Sequence, residues 1–146
     1  MKRRILLVDD DLAVLLTLKA VLELNGFEIE TANSTAQAFF RLDSGVYQMV
    51  ITDLRMETED AGLEVIRAAR RQSYDPATAL LTAYPPTGED WGEGHSQSLL
   101  VKPLGTRELV RQVEALLVRH EDEKQLRRRN GVSSAAIPRD ANRKVG

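Results

Sequence analysis

Met49-Val50-Ile51-Thr52-Asp53 is an apolar run that ends abruptly in a single acid. A short, β-branched apolar stretch bounded by turn signals has the character of a buried strand. Tyr47 to Thr52 has the length of one, and Gly45 marks the turn before it. An aspartate just past such a strand stands at the carboxyl edge of its sheet, where open α/β folds place their ligand sites. Asp53 is therefore the first candidate for chemistry, and the rest of the chain is read for residues that converge on it.

Upstream, Ile5-Leu6-Leu7-Val8 is a second buried-strand pattern, closed by Asp9-Asp10-Asp11. Apolar residues from Leu12 to Leu24 form a broad stripe that predicts a packed helix, with Asp11 as its N-cap and Asn25-Gly26 as its stop. Phe27 to Ala32 alternates as a strand near a sheet edge does. Ser34-Thr35 opens a second helix, which Ser44-Gly45 ends.

Downstream of Asp53, a polar loop precedes a helix from about Gly62 to Arg71, with Leu63, Val65, Ile66 and Ala69 on one face. Ala77 to Ala83 supplies a fourth strand carrying Thr82 at its end, and Leu99-Leu100-Val101 a fifth, followed by Lys102-Pro103. A last helix begins near Thr106, with Leu109, Val113, Leu116 and Leu117 as its stripe. Residues 84–98, rich in proline and glycine, predict a fourth helix that is short or distorted. Strands alternating with helices imply an α/β, doubly wound, five-stranded parallel sheet with right-handed crossovers. Asp9, Asp10, Asp53, Thr82 and Lys102 then share one edge.

Composition narrows the functions. The chain of 146 residues predicts one domain over 1–120, with a helical extension and a disordered basic tail over 121–146. The tail carries a charge of +3 and residues 1–120 carry −5, which argues against a general nucleic-acid binder. No apolar run is long enough for a membrane helix, and there is no cysteine for a disulfide or a thiolate zinc site. The expectation is a cytoplasmic protein. His95 and His120 have no acids at ligand spacing and are expected to be exposed.

Carboxylates crowded at one edge repel one another unless a cation neutralises them. With no histidine or cysteine among them, an all-oxygen set favours a hard ion, magnesium before others. A carboxylate can act as nucleophile in phosphoryl transfer, and the charge that develops there calls for a cation and a hydroxyl donor. Lys102 and Thr82 are of those types.

In this arrangement the chain resembles the receiver domains of two-component response regulators. The stretches that carry the resemblance are ILLVDDD from Ile5, VITDLRM from Val50, GLEVI from Gly62, LLTAY from Leu80 and LVKP from Leu100 with its neighbours, in order. The resemblance covers residues 3 to about 120 and implies a flavodoxin-like sheet of strand order 2-1-3-4-5. It implies Asp53 as phospho-acceptor and magnesium ligand, Asp10 as a direct ligand, Asp9 acting through water, and the backbone carbonyl of Arg55 as a further ligand. Thr82 would hydrogen-bond the phosphoryl group, Lys102 would pair with it, and the Lys102-Pro103 peptide would be cis. The implied donor is a histidine kinase or phosphotransfer protein. Output would run through protein contacts or a further domain.

Three departures stand out. Glu57 occupies the position four after the acceptor where the family carries proline, and the Asp53 to Gly62 spacing is one residue longer than usual. Leu99 stands three before Lys102, where the family carries the aromatic that rotates inward on phosphorylation. Leu99 and the irregular stretch 84–98 favour an alternative, a phosphorylation-independent interaction module on the same fold, which the complete acid–Thr–Lys set opposes. A small phosphatase using Asp53 ranks last, because Arg55 stands where a second aspartate would be needed.

Overall fold

In a computed structural model, which describes residues 2–82, 98–101 and 105–130, nine elements follow one another among the described residues. They are β1 (Arg4–Val8), α1 (Leu12–Leu24), β2 (Glu28–Ala32), α2 (Thr35–Ser44), β3 (Met49–Thr52), α3 (Ala61–Arg70), β4 (Ala77–Thr82), β5 (Ser98–Val101) and α4 (Thr106–Arg129). The strands form one parallel sheet of order β2-β1-β3-β4-β5. This is the doubly wound, flavodoxin-like architecture expected, with β2 at one edge. The region where a short or distorted helix is expected lies outside the described residues, as do Trp91, His95, the Lys102-Pro103 peptide and the chain after Asn130.

Alternation within the buried strands assigns the two faces. Ile5, Leu7, Met49, Ile51, Ala79 and Leu81 point to the layer of α1 and α4, where Leu15, Leu22, Leu109, Val113 and Leu117 meet them. Leu6, Val8 and Val50 point the other way, onto Ala38 and Leu42 of α2 and Val65, Ala68 and Ala69 of α3. Burial on both faces is why these strands read as continuous apolar runs rather than as polar–apolar alternation.

The helix ends follow local chemistry. Asp11 caps α1 by accepting from the amides of Ala13 and Val14. At its other end the Phe27 amide donates to the Leu22 carbonyl and the Gly26 amide to Glu23, a Schellman closure that needs the positive φ of Gly26, +93°. Ser34 caps α2 by accepting from the Gln37 amide, and the Gln37 side chain accepts in return from Asn33.

Two expectations are corrected. The broad stripe of α1 is not wholly packed: Leu15 and Leu22 seat the helix, while Leu12, Leu16 and Leu24 are 63%, 57% and 87% exposed. Only part of an apolar helix surface can meet a single sheet face, and the remainder of this one faces outward. His120 is not free in solvent either. Its Nε2 lies 2.9 Å from the Asp75 carbonyl, a residue 45 positions away that sequence spacing could not pair with it. α4 runs without a break across position 120. Beyond it, Lys124 donates to the Tyr74 carbonyl and Arg127 to the Asp75 carboxylate.

Candidate functional site

Past the ends of the strands, the chain is stitched edge to edge. The Asp9 amide donates to the Ala32 carbonyl at 3.1 Å, and the Asp53 amide donates to the Val8 carbonyl at 2.8 Å. These bonds carry the sheet pairing one residue beyond β1 and β3, so Asp9, Asp10 and Asp53 leave adjacent strands at the same edge. One carboxylate oxygen from each of the three lies within 4.8 Å of the others. Asp9 is buried, Asp53 half-buried and Asp10 exposed, so the cluster grades from the protein interior to solvent.

Backbone amides orient two of these carboxylates. Asp9 Oδ1 accepts from the Asp11 amide and Asp53 Oδ1 from the Leu54 amide, both at 2.9 Å. Each contact fixes one oxygen of its carboxylate by a charge-assisted hydrogen bond. Asp11 faces away into its capping role and is not in the cluster, so the capping reading of that residue holds.

Thr82 ends β4, the strand beside β3, and is 2% exposed. It pairs with Val101 of β5. The chain therefore leaves β5 at the edge where Thr82 stands. Lys102, the next residue, lies outside the described residues.

The β3–α3 loop is held at several points. Leu54 is buried, and its carbonyl accepts from the Gly62 amide at 2.8 Å. Gly62 sits so close that a Cβ there would lie 2.1 Å from the Asp53 carbonyl oxygen and 2.7 Å from Leu54 Cα. Met56 packs against the α2–α3 side of the core. Arg55 is exposed. Glu57 reaches across to α2, where its Oε2 accepts from the Thr35 amide at 3.0 Å.

Sequence reasoning missed two of these features. Gly62 carries a readable signal, because glycine in the first turn of a helix is unfavourable unless a close approach requires it. The Glu57–Thr35 contact spans 22 positions and had no local signal.

The donor set fits a hard divalent cation. It consists of carboxylate oxygens, is graded toward solvent so that waters can complete a coordination shell, and joins no histidine among the described residues. Its chemistry is that of an anionic edge able to hold a cation.

The description "Response regulator receiver domain" matches residues 5–114 of this chain. The chain is 36% identical over 121 residues to the transcriptional regulatory protein CpxR homolog of Haemophilus influenzae, covering 80% of this chain and 51% of that protein. It is 37% identical over 131 residues to the alginate biosynthesis transcriptional regulatory protein AlgB of Pseudomonas putida, covering 82% of this chain and 29% of that one. It thus spans about half the length of the first and under a third of the second. Among solved structures it is similar in fold to a CheY-like receiver domain from Methanospirillum hungatei, with TM-score 0.72, 23% identity, and 84% and 99% of the two chains covered. It is also similar to the response regulator TrrA of Thermotoga maritima, solved in complex with Mg(2+)-BeF, with TM-score 0.65, 32% identity, and 78% and 98% covered.

Proposed function

Because this chain belongs to the response regulator receiver domain family, we propose that it is a signalling module that accepts a phosphoryl group on Asp53. The observation that carries the reading is the convergence of Asp9, Asp10 and Asp53, with one oxygen of each inside a 4.8 Å span. In the proposed reaction a carboxylate oxygen of Asp53 attacks the phosphorus of a phosphohistidine on a kinase or phosphotransfer protein. The new O–P bond forms as the N–P bond breaks, and the imidazole leaves.

Asp10, Asp9 (through water), Asp53 and the backbone carbonyl of Arg55 would hold Mg2+. When bound, that ion supplies charge neutralisation at the phosphoryl oxygens. The Leu54 amide holds one Asp53 oxygen in place and so orients the carboxylate. The Thr82 hydroxyl would donate to a phosphoryl oxygen, and Lys102 would pair with the charge of the product. The same residues would support self-catalysed phosphorylation and dephosphorylation. That TrrA, at 32% identity, was solved with Mg(2+)-BeF supports magnesium as the ion.

The exposed ridge of Leu12 and Leu16 begins beside Asp10 and Asp11 and offers an apolar approach for the donor protein at the edge where the chemistry occurs. No described helix is long and apolar enough to cross a membrane, and the proposed setting is the cytoplasm. Residues 121–146 are taken as an extension and basic tail appended to the receiver. Leu99, in place of the usual switch aromatic, favours a second reading in which partners bind regardless of phosphorylation.

Magnesium titration by calorimetry tests the site. Wild-type protein is expected to bind one ion, with affinity lost in Asp53→Asn and weakened by about tenfold in Asp10→Asn. Undiminished binding in both variants would rule the site out.

A further inference from the structure

The loop between Asp53 and α3 must present a backbone carbonyl, that of Arg55, in one place if it is to serve a cation. In this loop Glu57 stands four residues after Asp53 and two after Arg55. Resting on the reading of the site given above, we propose that Glu57 is a positioning residue that pins this loop to α2 and thereby sets the Arg55 carbonyl.

The first turn of a helix has four amides without intrahelical partners. In α2 the Ser34 side chain takes the Gln37 amide. The Thr35 amide, at the first position, is taken by Glu57 Oε2 at 3.0 Å, from a segment 22 residues away. The carboxylate also lies at the N-terminal end of the α2 dipole, whose attraction adds to the contact. The bond therefore caps a second amide of α2 and anchors the loop in one contact.

Its neighbours leave a short unsupported span. Asp53 and Leu54 are held through Val8, Leu54's own amide contact and Gly62. Met56 packs on the core and its amide donates to the Thr58 carbonyl at 3.1 Å. Arg55 sits between these anchors with an exposed side chain. On its far side Met56 reaches the core and Glu57 reaches α2 through a polar contact. Its carboxylate, committed to α2, is not in the Asp9–Asp10–Asp53 cluster.

The test compares Glu57→Ala, Glu57→Gln and Glu59→Ala, the last removing an exposed acid of the same loop. Amide exchange of the metal-free proteins reads the tie, and magnesium calorimetry reads its consequence. Glu57→Ala is expected to raise Thr35 amide exchange by about threefold to tenfold, the scale of a lost helix cap. It is also expected to weaken magnesium affinity by several-fold, while Glu59→Ala does neither. Glu57→Gln keeps an acceptor oxygen and is expected to restore most of both.

Faster Thr35 exchange in Glu57→Ala with unchanged magnesium affinity overturns the positioning role alone. Equal losses of affinity in Glu57→Ala and Glu59→Ala overturn it in favour of bulk charge. Wild-type protein that binds no magnesium overturns the functional reading itself and this role with it.

Discussion

The carbonyl oxygen of Asp53 lies 2.1 Å from where a Cβ on Gly62 would stand. The first turn of α3 is thus pressed directly against the backbone of the candidate acceptor, and the Gly62 amide uses that proximity to bond the Leu54 carbonyl. A side chain here must push apart backbone, which cannot rotate away. Gly62→Ala is expected to destabilise the protein by about 1–3 kcal/mol, the range of overpacking in a well-filled interior. Denaturant unfolding measures it, and a stability loss under half a kilocalorie per mole would show that the loop yields freely.

Asp11 stands beside the cluster but caps α1. Asp11→Ala is expected to cost about 1 kcal/mol of stability, the typical loss for an N-cap. Magnesium affinity should stay within about twofold of wild type, since the carboxylate is not among those that converge. Parallel melting and calorimetry separate the two roles within a run of three aspartates that look alike in sequence.

Away from the site, Glu30 accepts from the Tyr47 hydroxyl and pairs with Arg4 and Arg41. The tyrosine hydrogen bond first, and the arginine charges after it, hold its carboxyl below the usual range against the opposing effect of burial. A depressed folded-state value contributes stability that is full at neutral pH and is lost as pH falls through the ordinary carboxylate range and below. Glu30→Gln is therefore expected to flatten the acid limb of a stability–pH curve. An unchanged limb would mean the network contributes little.

Tyr74 gives the opposite sign at the alkaline end. Burial first, and the Asp43 charge second, push its hydroxyl up to about 12, and it donates to the Leu42 carbonyl at 2.9 Å. A raised value contributes stability that is present below the ordinary tyrosine range and is lost as pH climbs through it toward 12. Tyr74→Phe is expected to lower stability at neutral pH and to show a shallower alkaline decline, measured by denaturant midpoints across pH.

The distal part of α4 is attached by polar contacts. Leu117 is its last buried apolar residue among those described, and beyond it His120, Lys124 and Arg127 reach Tyr74 and Asp75. Asp75 holds a φ of 49°, a conformation that asparagine also tolerates. Asp75→Asn keeps the carbonyl that His120 meets and removes the charge that Arg127 meets. Such a partly exposed pair is worth less than about 1 kcal/mol. The expected result is unchanged global stability with faster tryptic cleavage after Arg127.

Much of this was legible in the sequence because buried parallel strands leave a plain mark. Ile5 to Val8, Tyr47 to Thr52 and Ala77 to Ala83 each read as a strand, and the strands found run Arg4–Val8, Met49–Thr52 and Ala77–Thr82. The aspartates at their ends were legible because topology alone carries strand termini to a common edge. What escaped notice depends on residues far apart in the chain. The contact of Glu57 with Thr35 and that of His120 with Asp75 exist only once the sheet has brought their elements together. The outward leucines of α1 misled for a related reason. Apolar periodicity reports how much of a helix is greasy, whereas the sheet beneath it decides how much is covered.

Intact-mass spectrometry with a small-molecule phosphodonor and magnesium tests whether Asp53 takes the phosphoryl group. Wild-type protein is expected to gain the mass of one phosphoryl group, dependent on magnesium, and Asp53→Asn to gain none. A wild-type protein that gains nothing under these conditions, or an adduct that persists in Asp53→Asn, would contradict the account.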